Sequence, residues 1–111
     1  MTYEKVKNLT SEKFKRLCGV KKETFAQMVE IVENQEKLKT KTGRPSKLSL
    51  ENQVLMTLEY LREYRTYFHI AQSWGVNEST AYRIIRKIEN ILIRSKEFAY
   101  TLEKTVITIH T

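Results

Sequence analysis

The sequence contains no aspartate; all 13 of its acidic residues are glutamates. Metal-dependent phosphoryl-transfer sites hold their ions largely with aspartates, so this absence argues against a catalytic metal centre. The glutamates that remain fall on helix surfaces among lysines, the arrangement of solvated charge pairs. The one cysteine, Cys18, has no partner for an internal disulfide. It follows Leu17 among apolar neighbours and reads as a small core side chain rather than a nucleophile. No apolar run approaches the roughly 18–20 residues of a membrane span, and the lysine-rich start has no apolar stretch behind it. A soluble, cytoplasmic chain without membrane contact is expected. Gly-rich phosphate loops, serine triads and paired-carboxylate motifs are also lacking. His69 reads as a helix-surface residue, and neither it nor His110 has metal-ligand company. No catalytic residue, metal site or cofactor is therefore expected.

What is present is a basic chain of 111 residues, 41% hydrophobic, with a formal net charge of +7. That length suits one compact domain or two very small ones. A basic surface attracts polyanions, because binding them releases condensed counterions. Nearly all of the excess lies in residues 1–48, with a dense patch at Lys37, Lys39, Lys41, Arg44 and Lys47.

Apolar spacing is helical almost throughout, which predicts an all-α fold of about five helices. The first starts near Thr10 or Ser11 and ends at Gly19, with Phe14, Leu17 and Cys18 on its apolar face. The second covers 22–35 and carries Phe25, Met28, Val29 and Val32. Ser49 caps a third over 50–63, striped by Leu50, Val54, Leu58 and Leu61. A short fourth helix over 67–74 stops at Gly75, and Asn77 caps a long fifth that runs to about residue 96. The expected organisation is a helical hairpin over 1–35, a basic linker over 36–48 with the only proline, a C-terminal helix-turn-helix domain over 49–97, and a tail over 98–111. The tail's run Val106-Ile107-Thr108-Ile109 reads as a strand that has no partner in this sequence.

The stretch YFHIAQSWGVNESTAYRIIR, residues 67–86, has the pattern of a helix-turn-helix. Such a motif needs a short helix, a sharp turn and a second helix that crosses the first closely. Ile70 and Trp74 supply the inner face of the first helix, and Ala71 is small where the second crosses. Gly75 accepts the left-handed conformation of a tight turn. Val76 plugs that turn, and Ala81 and Ile84 seat the second helix.

The long helix has two faces. Ala81, Ile84, Ile85, Ile88, Ile91 and Leu92 share one side, while Ser79, Tyr82, Arg83, Arg86 and Asn90 centre on the other. Two arginines, a tyrosine and an asparagine without an acid suit phosphates and base edges better than plain solvation. In motifs of this kind the N-terminal part of the second helix enters the major groove of double-stranded DNA. That places Asn77, Glu78, Ser79 and Thr80 at base edges. Arg83, one turn on, is the candidate for a bidentate contact to guanine, and Glu78 can accept from cytosine. Tyr82, Arg86 and Lys87 are assigned to phosphates, and Thr66, Tyr67 and Gln72 to the backbone at the groove edge. In the linker, Gly43-Arg44-Pro45 has the core of a minor-groove arm, so Arg44 joins the candidates. The linker lysines add general attraction to phosphate.

Residues 43–93, GRPSKLSLENQVLMTLEYLREYRTYFHIAQSWGVNESTAYRIIRKIENILI, resemble the N-terminal helix-turn-helix domain of bacterial insertion-sequence transposases of the "IS five" group. FKRLCGVKKETFAQMV, residues 14–29, resembles that family's opening helices. The resemblance implies recognition of the terminal inverted repeats of a mobile element, on behalf of a catalytic domain with a ribonuclease-H-like fold, an Asp-Asp-Glu triad and magnesium. No residue here matches that triad: where its first aspartate-bearing strand is expected, the sequence reads VITIHT, with His110 near the position of the acid. The expectation is an isolated first reading frame or a truncated copy, partnered by double-stranded DNA and by a second copy or a catalytic transposase domain. A free-standing transcriptional regulator uses the same motif equally well. A protein-interaction module whose long helix dimerises is the remaining alternative.

Overall fold

The computed structural model describes residues 2–38, 48–63 and 65–95. The basic patch from Lys39 to Lys47, Arg44 included, and the β-branched tail lie outside the described residues. Among those described, the fold is all-helical: α1 (Tyr3–Val6), α2 (Ser11–Cys18), α3 (Lys22–Leu38), α4 (Leu50–Glu63), α5 (Tyr67–Trp74) and α6 (Glu78–Arg94).

Local chemistry sets most helix ends. The Thr10 hydroxyl accepts from the Lys13 amide at 3.2 Å to open α2, supplying an acceptor to an otherwise orphaned donor. Gly19 closes that helix at φ 87°. Ser49 caps α4, its hydroxyl accepting from the Asn52 amide at 3.2 Å.

Among the first three helices, two depart from the sequence expectation. The four-residue α1 lacks enough length to show a period, so its apolar pattern was not legible. It is held from outside: Asn52 Oδ1 accepts from the Tyr3 amide at 2.8 Å, Tyr3 stacks on Phe25 at 5.5 Å, and Val6 is buried. The other is α3, which runs to Leu38 rather than 35. Its last turns carry a Glu33–Lys37 pair, and Glu36 there is tied to α6.

The most consequential difference concerns α4. A stripe of four residues predicted one buried face, yet Gln53, Val54, Leu55, Met56, Thr57 and Leu58 are all buried in succession. A helix apolar all round belongs inside a domain, and α4 is surrounded by α1, α2, α3, α5 and α6. Its two buried polar residues use backbone acceptors: Gln53 Nε2 donates to the Leu48 carbonyl at 2.9 Å, and the Thr57 hydroxyl to the Gln53 carbonyl at 2.9 Å. One core cluster joins Phe14, Phe25, Met28 and Val32 of the early helices to Leu55, Ile70, Ile85, Ile88 and Leu92 of the later ones. The result is a packed base from which α5 and α6 project one polar face.

Candidate nucleic-acid interface

The turn between α5 and α6 is built by backbone geometry. Thr66 caps α5, its hydroxyl accepting from the His69 amide at 3.1 Å and lying 3.0 Å from His69 Nδ1. At the other end Gly75 adopts φ 68°, a conformation that costs a residue with a Cβ more than it costs glycine. The Val76 amide then donates to the Ala71 carbonyl at 3.0 Å and the Gly75 amide to Gln72 at 3.3 Å, the paired bonds of a Schellman turn. Val76 packs partly buried against the core beneath. Ala71 and Ala81 are fully buried where the two helices cross, so the small residues at both positions let the backbones approach. Every element of the expected motif is in place, with Trp74 half-buried at its inner edge.

The polar side of α6 faces away from this crossing. Ala81, Ile84, Ile85, Ile88 and Leu92 are buried, whereas Asn77, Glu78, Ser79, Tyr82, Arg83, Arg86 and Asn90 are exposed and Thr80 half-exposed. Asn77 occupies the N-cap position, but its side chain makes no capping bond. Glu78 lies in the first turn, where negative charge is favourable beside the exposed amides. The described residues hold three ion pairs, and neither Arg83 nor Arg86 takes part in any. Both guanidiniums keep their N–H groups for an external acceptor.

Three of the predicted contacts sit differently. Lys87 is turned toward α3, its Nζ 2.8 Å from Glu36 Oε1. Thr66 spends its hydroxyl on the cap, although the residue is exposed. Tyr67 is half-buried between two other tyrosines: its ring stacks on Tyr60 at 4.6 Å and 8° and meets the edge of Tyr82 at 5.1 Å and 75°. Burial, then a hydrogen bond with Tyr60, push the Tyr67 phenol well above its ordinary range. Gln72 is exposed on α5 as expected.

Tyr60 and Glu89 are absent from the sequence-based candidates. Tyr60 lies on α4 and stacks on Tyr67 of α5, a contact that no single-helix period reveals. Glu89 flanks the polar face; burial raises its carboxyl above the ordinary value, with the nearby Arg86 charge opposing. Arg86 itself lies with Cζ 5.9 Å from the Tyr82 ring centroid. Among the described residues no group of three or more His, Cys or Glu side chains is placed to hold a metal ion. No described helix is long and apolar enough to cross a membrane.

Comparison with known proteins agrees with this geometry. Residues 46–96 match the family model described as "Helix-turn-helix of DDE superfamily endonuclease". The chain is also 50% identical over 107 residues to a "Probable transposase for insertion sequence element IS702" of Microchaete diplosiphon. That alignment takes in 96% of this chain but 39% of the relative. No solved structure matches.

Proposed function

We propose that this chain, whose residues 46–96 match the helix-turn-helix model of the DDE superfamily endonucleases, binds double-stranded DNA through the outward face of α6. The target class is the terminal inverted repeats of a mobile element, and the role is that of the end-recognition part of a transposase. One observation carries the reading: Arg83 and Arg86 stand exposed and outside the ion pairs of the described residues, on the helix that follows a closed Schellman turn. Planar guanidiniums in that position suit guanine edges and phosphates bidentately.

The roles follow from position. Asn77, Glu78, Ser79 and Thr80 face bases at the groove entrance, and Arg83 reads a guanine one turn further along. Tyr82 and Arg86 lie beside the phosphates, with Gln72 of α5 at the groove edge. The Lys39–Lys47 segment adds sequence-independent attraction, and with it Arg44. None of these residues is assigned a part in strand cleavage. Cleavage and rejoining belong to a catalytic transposase domain as partner, and association with chromosomal DNA makes the setting the bacterial nucleoid.

The test is duplex binding as salt rises. Several phosphate contacts give a log–log slope of roughly −0.9 per contact, and a flat response defeats the proposal. Arg83→Ala relaxes sequence preference, with discrimination at one base pair falling by about 1–3 kcal/mol. Replacing Lys39 and Lys41 weakens all duplexes alike. A transcriptional regulator would use the same face on another target, so fragments selected from random duplexes are compared with the DNA flanking the gene.

A further inference from the structure

Resting on the DNA-binding reading above, we propose that Tyr60 and Tyr67 are positioning residues for duplex binding: their stacked rings fix Tyr82, and through it Arg86, at the DNA-facing surface of α6. The four side chains form one continuous column. Tyr60, near the end of the core helix α4, stacks flat on Tyr67 at 4.6 Å. Tyr67 meets Tyr82 edge-on at 5.1 Å, and Arg86 Cζ lies 5.9 Å from the Tyr82 ring centroid. Exposure grows along the column, from half-buried Tyr60 and Tyr67 to exposed Tyr82 and Arg86. The inner members are thus anchored in the fold and the outer ones presented to solvent.

The physical benefit is preorganisation. A long exposed arginine loses rotamer freedom when it grips a phosphate, and an affinity gain follows when that freedom is already reduced in the free protein. A guanidinium over an aromatic ring is held by its face, which leaves its N–H edge free for an oxygen. Edge-to-face packing with Tyr67 restrains the Tyr82 ring in turn. Tyr67 is half-buried between the Tyr60 and Tyr82 rings, so it acts through its ring and not as a phosphate donor. Four residues from three helices thereby become one device for orienting a single cation.

The experiment uses the full 111-residue chain and a fluorescein-labelled duplex of random sequence, with anisotropy read over a range of salt. Arg86→Gln weakens binding by roughly fivefold and lowers the salt slope by about 0.9. Tyr67→Leu gives the same two losses, and Tyr67→Phe, which keeps the ring, restores both. The double variant Tyr67→Leu with Arg86→Gln binds no more weakly than Arg86→Gln alone, since both remove one contact. A purely packing role for Tyr67 would lower stability and leave the slope untouched. Should Tyr67→Leu fail to fold, Tyr82→Leu at an exposed position carries the same prediction, and parental affinity and slope there overturn the proposal. Losses that multiply in the double variant overturn it too, as does an Arg86→Gln that binds like the parent. In all of those cases the DNA-binding reading stands; a parent chain with no salt-dependent binding overturns both.

Discussion

Lys87 of α6 and Glu36 of α3 are joined by an ion pair of 2.8 Å, with the two side chains 30% and 28% exposed. The pair ties the last turns of α3, just before the basic segment, to the flank of the helix proposed to enter DNA. It also takes one cation out of the set available to phosphate.

Lys87→Ala is therefore expected to leave the salt slope of duplex binding at its parental value. The Glu36 oxygen in this pair is buried, so the stability loss should exceed the roughly 1 kcal/mol of a solvent-exposed pair. Glu36→Gln releases the ammonium and should steepen the slope by about 0.9 if Lys87 then reaches a phosphate. Anisotropy titrations in increasing salt check both; a Lys87→Ala variant that loses a full contact would show that the ion pair opens on binding.

Gly75→Ala should destabilise the protein by about 1–2 kcal/mol, the cost of a left-handed conformation for a residue with a Cβ. The penalty is conformational alone, because a Cβ at Gly75 would meet no atom within 4 Å. Gly75→Asn should lose less, since asparagine tolerates that region. Urea denaturation of the three proteins measures the order, and a neutral alanine variant would contradict the turn geometry.

Glu89→Gln tests the buried flank of the polar face. Burial holds the Glu89 carboxyl above its ordinary value, Arg86 opposing. A folded-state pKa above the unfolded one means that ionisation works against folding. The stability this group contributes is complete below the unfolded value and is lost as pH rises through the folded one. The glutamine variant should accordingly be the more stable protein at neutral pH, with the difference disappearing in acid. It should also bind duplex more tightly, a negative charge beside Arg86 having been removed. Thermal melts at neutral and acidic pH decide it; a variant weaker than the parent at neutral pH contradicts the assignment.

Cys18 should resist thiol reagents in the native protein at neutral pH and react fully once denaturant is added. Burial pushes its thiol up to about 11, against an opposing charge from Arg62, and the thiolate is the reactive form. Its contribution to stability is complete below the ordinary value of 9.0 and is lost as pH rises toward about 11. Rapid native labelling near neutrality would place Cys18 at the surface instead.

Much of the fold was written locally. The bounds of α4 and α5, the caps at Thr10 and Ser49, and the left-handed Gly75 depend on residues a few positions apart, and a single sequence displays those spacings directly. The polar face of α6 was equally legible, because helical period alone sorts Arg83 and Arg86 from the isoleucines.

Tertiary structure decided what depends on which helices meet. Whether α4 buries one face or its whole middle rests on the number of helices around it, and α1 is held where Asn52 and Phe25 receive Tyr3. Lys87 and Arg86 are adjacent cations on one helix; α3 supplies an acid to the first, and a tyrosine of α6 itself, steadied by α4 and α5, supplies a ring to the second. Composition and spacing assign a charge to a face. Its orientation and its partner come from residues distant in the chain, which only the packing of the core brings together.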